Sequence, residues 1–159
     1  MSTTRSPDIR EIRAALIELA FTTSQLDARA DDALRPTGQN LLRYQILSSY
    51  VDSPATVSNV ARALFVSRQY VQRTTNSLQE GGFVESHPNP DHLRSPLFEA
   101  TESGRKLAAA AESTLLPWLG HLQNAISRRE LANLREALST LHAAATSYGP
   151  LEESAAPSD

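Results

Sequence analysis

The architecture of the chain turns on residues 56–85, TVSNVARALFVSRQYVQRTTNSLQEGGFVE. Thr56 stands where an N-cap belongs, and Val57, Val60, Ala61 and Leu64 follow at the i, i+3, i+4, i+7 spacing of one buried helix face. A helix that short does not hold in water alone and must pack. Phe65 and Val66 separate it from a second N-cap, Ser67, after which Val71, Thr74, Thr75 and Leu78 form a buried seam. Val66 before the cap and Val71 at the fourth helical position make the pair of a hydrophobic staple. Gly81-Gly82 supplies a left-handed stop. Opposite the seam lie Arg68, Gln69, Gln72 and Arg73, more polar function than packing requires.

Downstream, residues 83–101, FVESHPNPDHLRSPLFEAT, hold two β-compatible runs around Pro88, Asn89, Pro90 and Asp91. They predict a two-stranded hairpin with a polar tip, which has to lean on helices because two strands alone are marginal. Short helix, tight turn, capped helix and hairpin, preceded by another helix, is the order of a helix-turn-helix with a wing. The N-terminal residues of the second helix in such a motif enter the major groove, where Arg bonds guanine and Gln bonds adenine in bidentate fashion. From Thr56 to Gln79 there is no acidic residue, while Arg62, Arg68 and Arg73 lie there. A chain of net charge −3 has thus cleared negative charge from the surface that would meet phosphate.

The flanks are helical. Ser6 as N-cap, Pro7 at the first helical position and a stripe of Ile9, Ile12, Leu16, Leu19 and Thr23 predict a first helix. Pro36 breaks it, and a second helix resumes from Thr37 with Leu41, Leu42, Tyr44, Ile46 and Leu47 spaced for burial. Thr101 caps a long helix from Glu102 to about Asn124, which Pro117 is expected to kink or interrupt. Ser127 and Glu130 open the last helix as a capping box, with Ile126 and Leu131 as its staple and Leu134, Leu138 and Leu141 along one face. The expected organisation is a disordered residue 1–6 segment, a dimerisation helix over 7–36, a DNA-binding lobe over 37–101, dimerisation helices over 102–146, and a disordered tail over 147–159.

Composition narrows the classes. The 159 residues are 40% hydrophobic, 21% charged and 6% aromatic, which fits one mainly α-helical domain. With no cysteine there is no disulfide, thiolate metal site or cysteine redox switch. No apolar run approaches a membrane span and the N-terminus lacks a signal-peptide segment, so a cytoplasmic protein without membrane partners is expected. No nucleophile elbow, phosphate-binding glycine loop, metal spacing or acid pair accompanies the serines, histidines and aspartates, which argues against an enzyme.

The quoted residues 56–85, the segment NPDHLRSPLFEATESG at 89–104 and LRPTGQNLLRYQIL at 34–47 together resemble the MarR family of winged helix-turn-helix transcriptional regulators, over roughly Pro7 to Ala145. The resemblance implies that Ser67, Arg68, Gln69, Gln72 and Arg73 face double-stranded DNA and that Arg94 is a wing arginine entering the minor groove. Many members carry Asp two residues before that arginine; here the position is His92, with Asp91 one step earlier, and either is a candidate to orient Arg94. The resemblance also implies a homodimer interlocked through the first and the last two helices, a palindromic operator with half-sites about one DNA turn apart, repression, and release by a small aromatic or metabolite ligand. The apolar stripes of those same helices exceed what the winged lobe can cover, which supports a dimer independently.

Other roles stand beside these. Tyr70 either stacks on a sugar-phosphate or packs. Phe21, Tyr44, Tyr50 and Trp118 either line a ligand pocket or fill core. His87 and His92 lack a third ligand, so neither metal nor any other cofactor is expected. The competing function is a winged-helix dimer that binds proteins or senses a ligand without sequence-specific DNA binding.

Overall fold

A computed structural model of the protein describes residues 6–90, 92 and 94–148. Of the segments expected to be disordered, 1–6 and 147–159, residues 1–5 and 149–159 lie outside the described residues, as does Asp91, while Ser147 is helical rather than part of a tail. The chain forms two compact units, the first ending at Trp118 and the second starting at Leu119.

The first unit opens with α1 (Ile9–Leu34). The expected cap at Ser6 and start at Pro7 are two residues early. Asp8 is the extended N-cap, its carboxylate accepting from the Arg10 N–H while Glu11 reaches back to the Asp8 N–H at 2.8 Å, a capping box that satisfies donors at both ends of the turn. A 3-10 turn, Arg35–Thr37, takes up Pro36, and Gly38 at φ 68° reverses the chain. Consequently α2 (Leu41–Asp52) starts four residues later than the Thr37 expected, capped by the Asn40 side chain. Its first N–H is taken by Asp31 of α1 at 2.7 Å, a long-range partner that joins the two helices.

Then come α3 (Val57–Leu64), capped by Thr56, and α4 (Arg68–Glu80), capped by Ser67. Strands β1 (Val84–His87) and β2 (Leu97–Ala100) pair antiparallel with Val84 opposite Ala100 and His87 opposite Leu97. Ala55 bonds Phe98 through both backbone groups, at 3.0 and 2.8 Å, which staples β2 to the segment before α3 and supplies the support two strands need. The core gathers Ile46, Leu47 and Tyr50 of α2, Val60 of α3, Val71 and Leu78 of α4, and Val84, Phe98 and Ala100 of the hairpin. A second cluster joins Ala30 and Leu34 of α1 to Ala111 and Leu115 of α5 (Glu102–Ala125).

Thr101 caps α5 by accepting the Gly104 N–H at 3.1 Å. Contrary to an interruption at Pro117, α5 is helical to Ala125, because one proline removes a single rung, the bond to the Ser113 carbonyl.

In the second unit, α6 (Arg128–Ser147) begins with the expected Ser127–Glu130 box. Hydrogen bonds from the Ser127 side chain and then its backbone N–H hold the Glu130 carboxyl below its usual range. No residue of α6 is buried, and Leu131, Leu134, Leu138 and Leu141 all stand exposed. Among the described residues no helix is long and apolar enough to cross a membrane.

Candidate nucleic-acid interface

The turn between α3 and α4 is three residues long, Phe65, Val66 and the cap Ser67. Phe65 adopts φ 54°, ψ 39°, the one non-glycine among the described residues with positive φ, and Val66 donates back to the Ala61 carbonyl at 3.1 Å. This closes α3 in the manner usually left to glycine. Ser67 then opens α4, and Val71, Thr74, Thr75 and Leu78 are all buried, as their spacing predicts. Two polar links tie α4 to α2: Tyr50 hydroxyl with Thr75 hydroxyl at 2.7 Å inside the core, and Arg43 Nη1 donating to Ser77 Oγ at 3.1 Å at the surface. At the far end only Gly82, at φ 72°, is left-handed, whereas Gly81 stays right-handed. Gly82 donates to Gln79 and Phe83 to Leu78, at 3.0 and 2.9 Å, the two bonds of a Schellman stop.

A helix held this firmly on one side presents a defined other side. Arg68, Gln69 and Arg73 are exposed, and so is Arg62 on α3. Ser67 is exposed with its oxygen accepting the Tyr70 N–H at 3.2 Å, so the hydroxyl proton is available to an outside acceptor. Gln72 is half-buried and donates along the helix to Asn76 Oδ1 at 2.9 Å. Tyr70 packs against the core, and the Arg73 guanidinium lies 6.0 Å from its ring centroid, at the outer limit of a cation–π contact.

On the wing, Arg94 and His92 are exposed. Glu85 opposes Glu99 across the strands, and His87 Nε2 lies 3.7 and 3.9 Å from their carboxylates, with Arg105 of α5 3.5 Å from Glu99. Asn89, which sequence reading placed in the polar hairpin tip, is buried and donates to the Ser95 carbonyl at 2.9 Å. Its place between two prolines marks a turn but not its burial.

The four aromatic residues weighed for a pocket are not brought together. Tyr50 is fully buried core, Tyr44 and Trp118 pack on the second cluster, and Phe21 is exposed. A cleft of about 370 Å³ instead lies among Asp27, Asp31, Leu42, Gln45, Leu64 and Tyr70, which joins α1 and α2 to the start of α4. None of the four aromatics lines it.

The uncharacterised protein Rv2011c of Mycobacterium tuberculosis is 34% identical to this chain over 126 residues, covering 79% of the chain and 88% of that protein. The family model described as MarR family matches residues 37–95, from the end of the 3-10 turn to the wing loop. The chain belongs to the MarR family. Among solved structures, a mutant MarR from E. coli complexed with operator DNA has a TM-score of 0.72 at 21% identity, over 85% of this chain and 99% of that one. CouR from Rhodococcus jostii, bound to p-coumaroyl-CoA, has a TM-score of 0.70 at 22% identity, over 77% and 87%. These likenesses establish the MarR winged-helix fold, mainly α with a two-stranded wing.

Proposed function

We propose that this MarR family protein is a transcriptional regulator, acting as a repressor, whose homodimer binds a palindromic operator in double-stranded DNA. The observation that carries the reading is the exposed face of α4, free of acidic residues from Arg68 to Gln79, with Arg68, Gln69 and Arg73 set on a fully buried seam beside a wing that exposes Arg94. Such a face can enter a major groove without paying for its own ordering, because the seam and the two links to α2 fix it beforehand. Arg68, Gln69, Gln72 and Arg73 read bases, Ser67 donates to phosphate, and Arg94 enters the minor groove. Gln72 has to give up its bond to Asn76 to do so.

A dimer is supported by apolar faces that each unit leaves open. In the first, Ile9, Ile12, Leu16, Ile17 and Phe21 of α1 are 73, 41, 48, 65 and 67% exposed, and in the second the four leucines of α6 are uncovered. A second copy of the chain would cover both. The cleft beside Tyr70 touches the start of α4, so a small molecule there would bias that helix only if it prefers one of its positions. On this basis ligand release is part of the proposal.

The test is fluorescence anisotropy with the duplex from immediately upstream of the protein's own gene beside a scrambled duplex, at two salt concentrations. The reading expects preference for the upstream duplex and affinity that falls steeply with salt. Weak binding to both, insensitive to salt, would point to a protein partner for the polar face of α4.

A further inference from the structure

The cleft that joins α1 and α2 to the start of α4 carries a charge sign as well as a shape. Its volume of about 370 Å³ lies in the range of small-molecule sites. Asp27 and Asp31 line it from α1, one helical turn apart and so on one face of that helix. Among the described residues no Lys, Arg or His joins them in the lining. Arg73, whose guanidinium lies 6.0 Å from the Tyr70 ring centroid, stays outside it. Leu42, Leu64, Val66 and the Tyr70 ring supply an apolar wall.

An anion finds little to hold it here. The N-terminus of α2, which borders the cleft through Asn40 and Leu41, is where backbone N–H groups would ordinarily receive one. Two of those groups are already served: Asp31 Oδ1 accepts the Leu41 N–H at 2.7 Å, and the Asn40 carboxamide oxygen accepts the Arg43 N–H at 2.8 Å. Asp27, by contrast, has no hydrogen-bond or ion-pair partner among the described residues. A carboxylate or phosphate ligand would therefore sit beside two like charges, whereas an ammonium would be attracted by both. We propose that the cleft binds a small organic cation, a protonated amine whose ammonium faces Asp27 and Asp31 and whose aromatic or branched apolar body lies against Leu42, Leu64, Val66 and Tyr70. Aromatic carboxylates are thereby excluded from the ligands expected of the chain. The site deepens the ligand-release reading above and rests on it for its regulatory effect: a molecule spanning the cleft touches α1 and the first turn of α4 together, and so favours the spacing of those helices that fits it.

The test is isothermal titration calorimetry on the full chain at neutral pH with three probes of one shape: naphthylmethylamine as its ammonium ion, naphthylmethanol and naphthoate. The amine should bind about 10-fold more tightly than the alcohol, and naphthoate more weakly than either. Asp27→Asn keeps the shape of an exposed side chain and removes its charge. It should weaken the amine by about 10-fold and leave the alcohol unchanged, a split that a general loss of structure would not produce. Anisotropy with the upstream duplex, with and without the amine, reads the regulatory step: the amine should loosen the wild-type complex and act far less on Asp27→Asn. Amine binding no tighter than that of naphthoate, or equally tight in Asp27→Asn, overturns the cation site and leaves the DNA-binding reading, measured without amine, intact. Asp27-dependent amine binding that leaves duplex affinity unchanged upholds the cation site and overturns ligand release through it. Wild-type protein that binds no duplex overturns the DNA-binding reading alone, since the calorimetry needs no DNA.

Discussion

The hydroxyls of Tyr50 and Thr75 lie 2.7 Å apart in the winged-helix core, both side chains fully buried, and join the last turn of α2 to the middle of α4. The Tyr50 ring also meets Phe98 of the wing, centroid to centroid at 5.9 Å and tilted by 48°. One residue thus touches the helix that carries the polar face and the strand that carries the wing. Tyr50→Phe keeps the ring but strands the Thr75 hydroxyl in apolar surroundings, and should cost about 1–3 kcal/mol. Urea denaturation measures this, and adding Thr75→Val should recover part of the loss. Equal stability of Tyr50→Phe and wild type would mean that Thr75 finds another partner.

The same burial gives an alkaline signature. Desolvation raises the Tyr50 pKa above its ordinary value near 10.0, with the Thr75 bond opposing. In the unfolded chain this phenol ionises near its ordinary value, so above about pH 10 the folded state binds more protons than the unfolded state, and stability falls as pH rises. Thermal melts from pH 8 to 11 should therefore show a steeper decline for wild type than for Tyr50→Phe. Parallel declines would place the sensitivity on other groups.

Phe65 holds a left-handed conformation while its side chain is 76% exposed. A side chain with Cβ is strained there, and little packing is at stake in removing it. Phe65→Gly should raise stability by about 1 kcal/mol, read as a later denaturation midpoint with an unchanged slope. An earlier midpoint would show that the ring contributes contacts that outweigh the strain.

Gly104 sits at the first turn of α5 for a different reason. A Cβ there would lie 2.0 Å from the Phe83 carbonyl oxygen, which already accepts the Thr101 N–H at 3.0 Å. The start of α5 and the entry to the wing cannot keep this spacing around an alanine. Gly104→Ala should destabilise by roughly 1–3 kcal/mol, and retention of full stability in calorimetry would show that the helix start shifts freely.

Arg73 separates base reading from phosphate anchoring. If it makes a bidentate base contact, Arg73→Ala should cost on the order of 1–3 kcal/mol on the operator and much less on scrambled duplex. A loss of equal size on both duplexes, with a shallower salt dependence, would make it a phosphate anchor.

Much of the site was legible because its causes are local. The caps at Thr56, Ser67 and Ser127 act within a single turn, and the seam of Val71, Thr74, Thr75 and Leu78 repeats with the helix itself. The exposure of Arg68, Gln69 and Arg73 follows from that seam, since what does not face the core faces out. The misplaced starts of α1 and α2 differ in origin, local for α1 and longer-range for α2. Ser6 and Thr37 are acceptable caps by residue type, but Asp8 has Glu11 to complete a box, and α2 takes its first acceptor from Asp31, ten residues earlier.

The order of elements, the helix-turn-helix and the polar face of α4 were thus contained in the chain, because capping, periodicity and turn chemistry operate over a few residues. The Tyr50–Thr75 link, the need for glycine at 104 and the burial of Asn89 in the wing tip came from folding, because each depends on segments distant in sequence closing on one another. Spacing along a chain can nominate a residue for the inside, but the partner it meets there is set by how the helices and the wing pack.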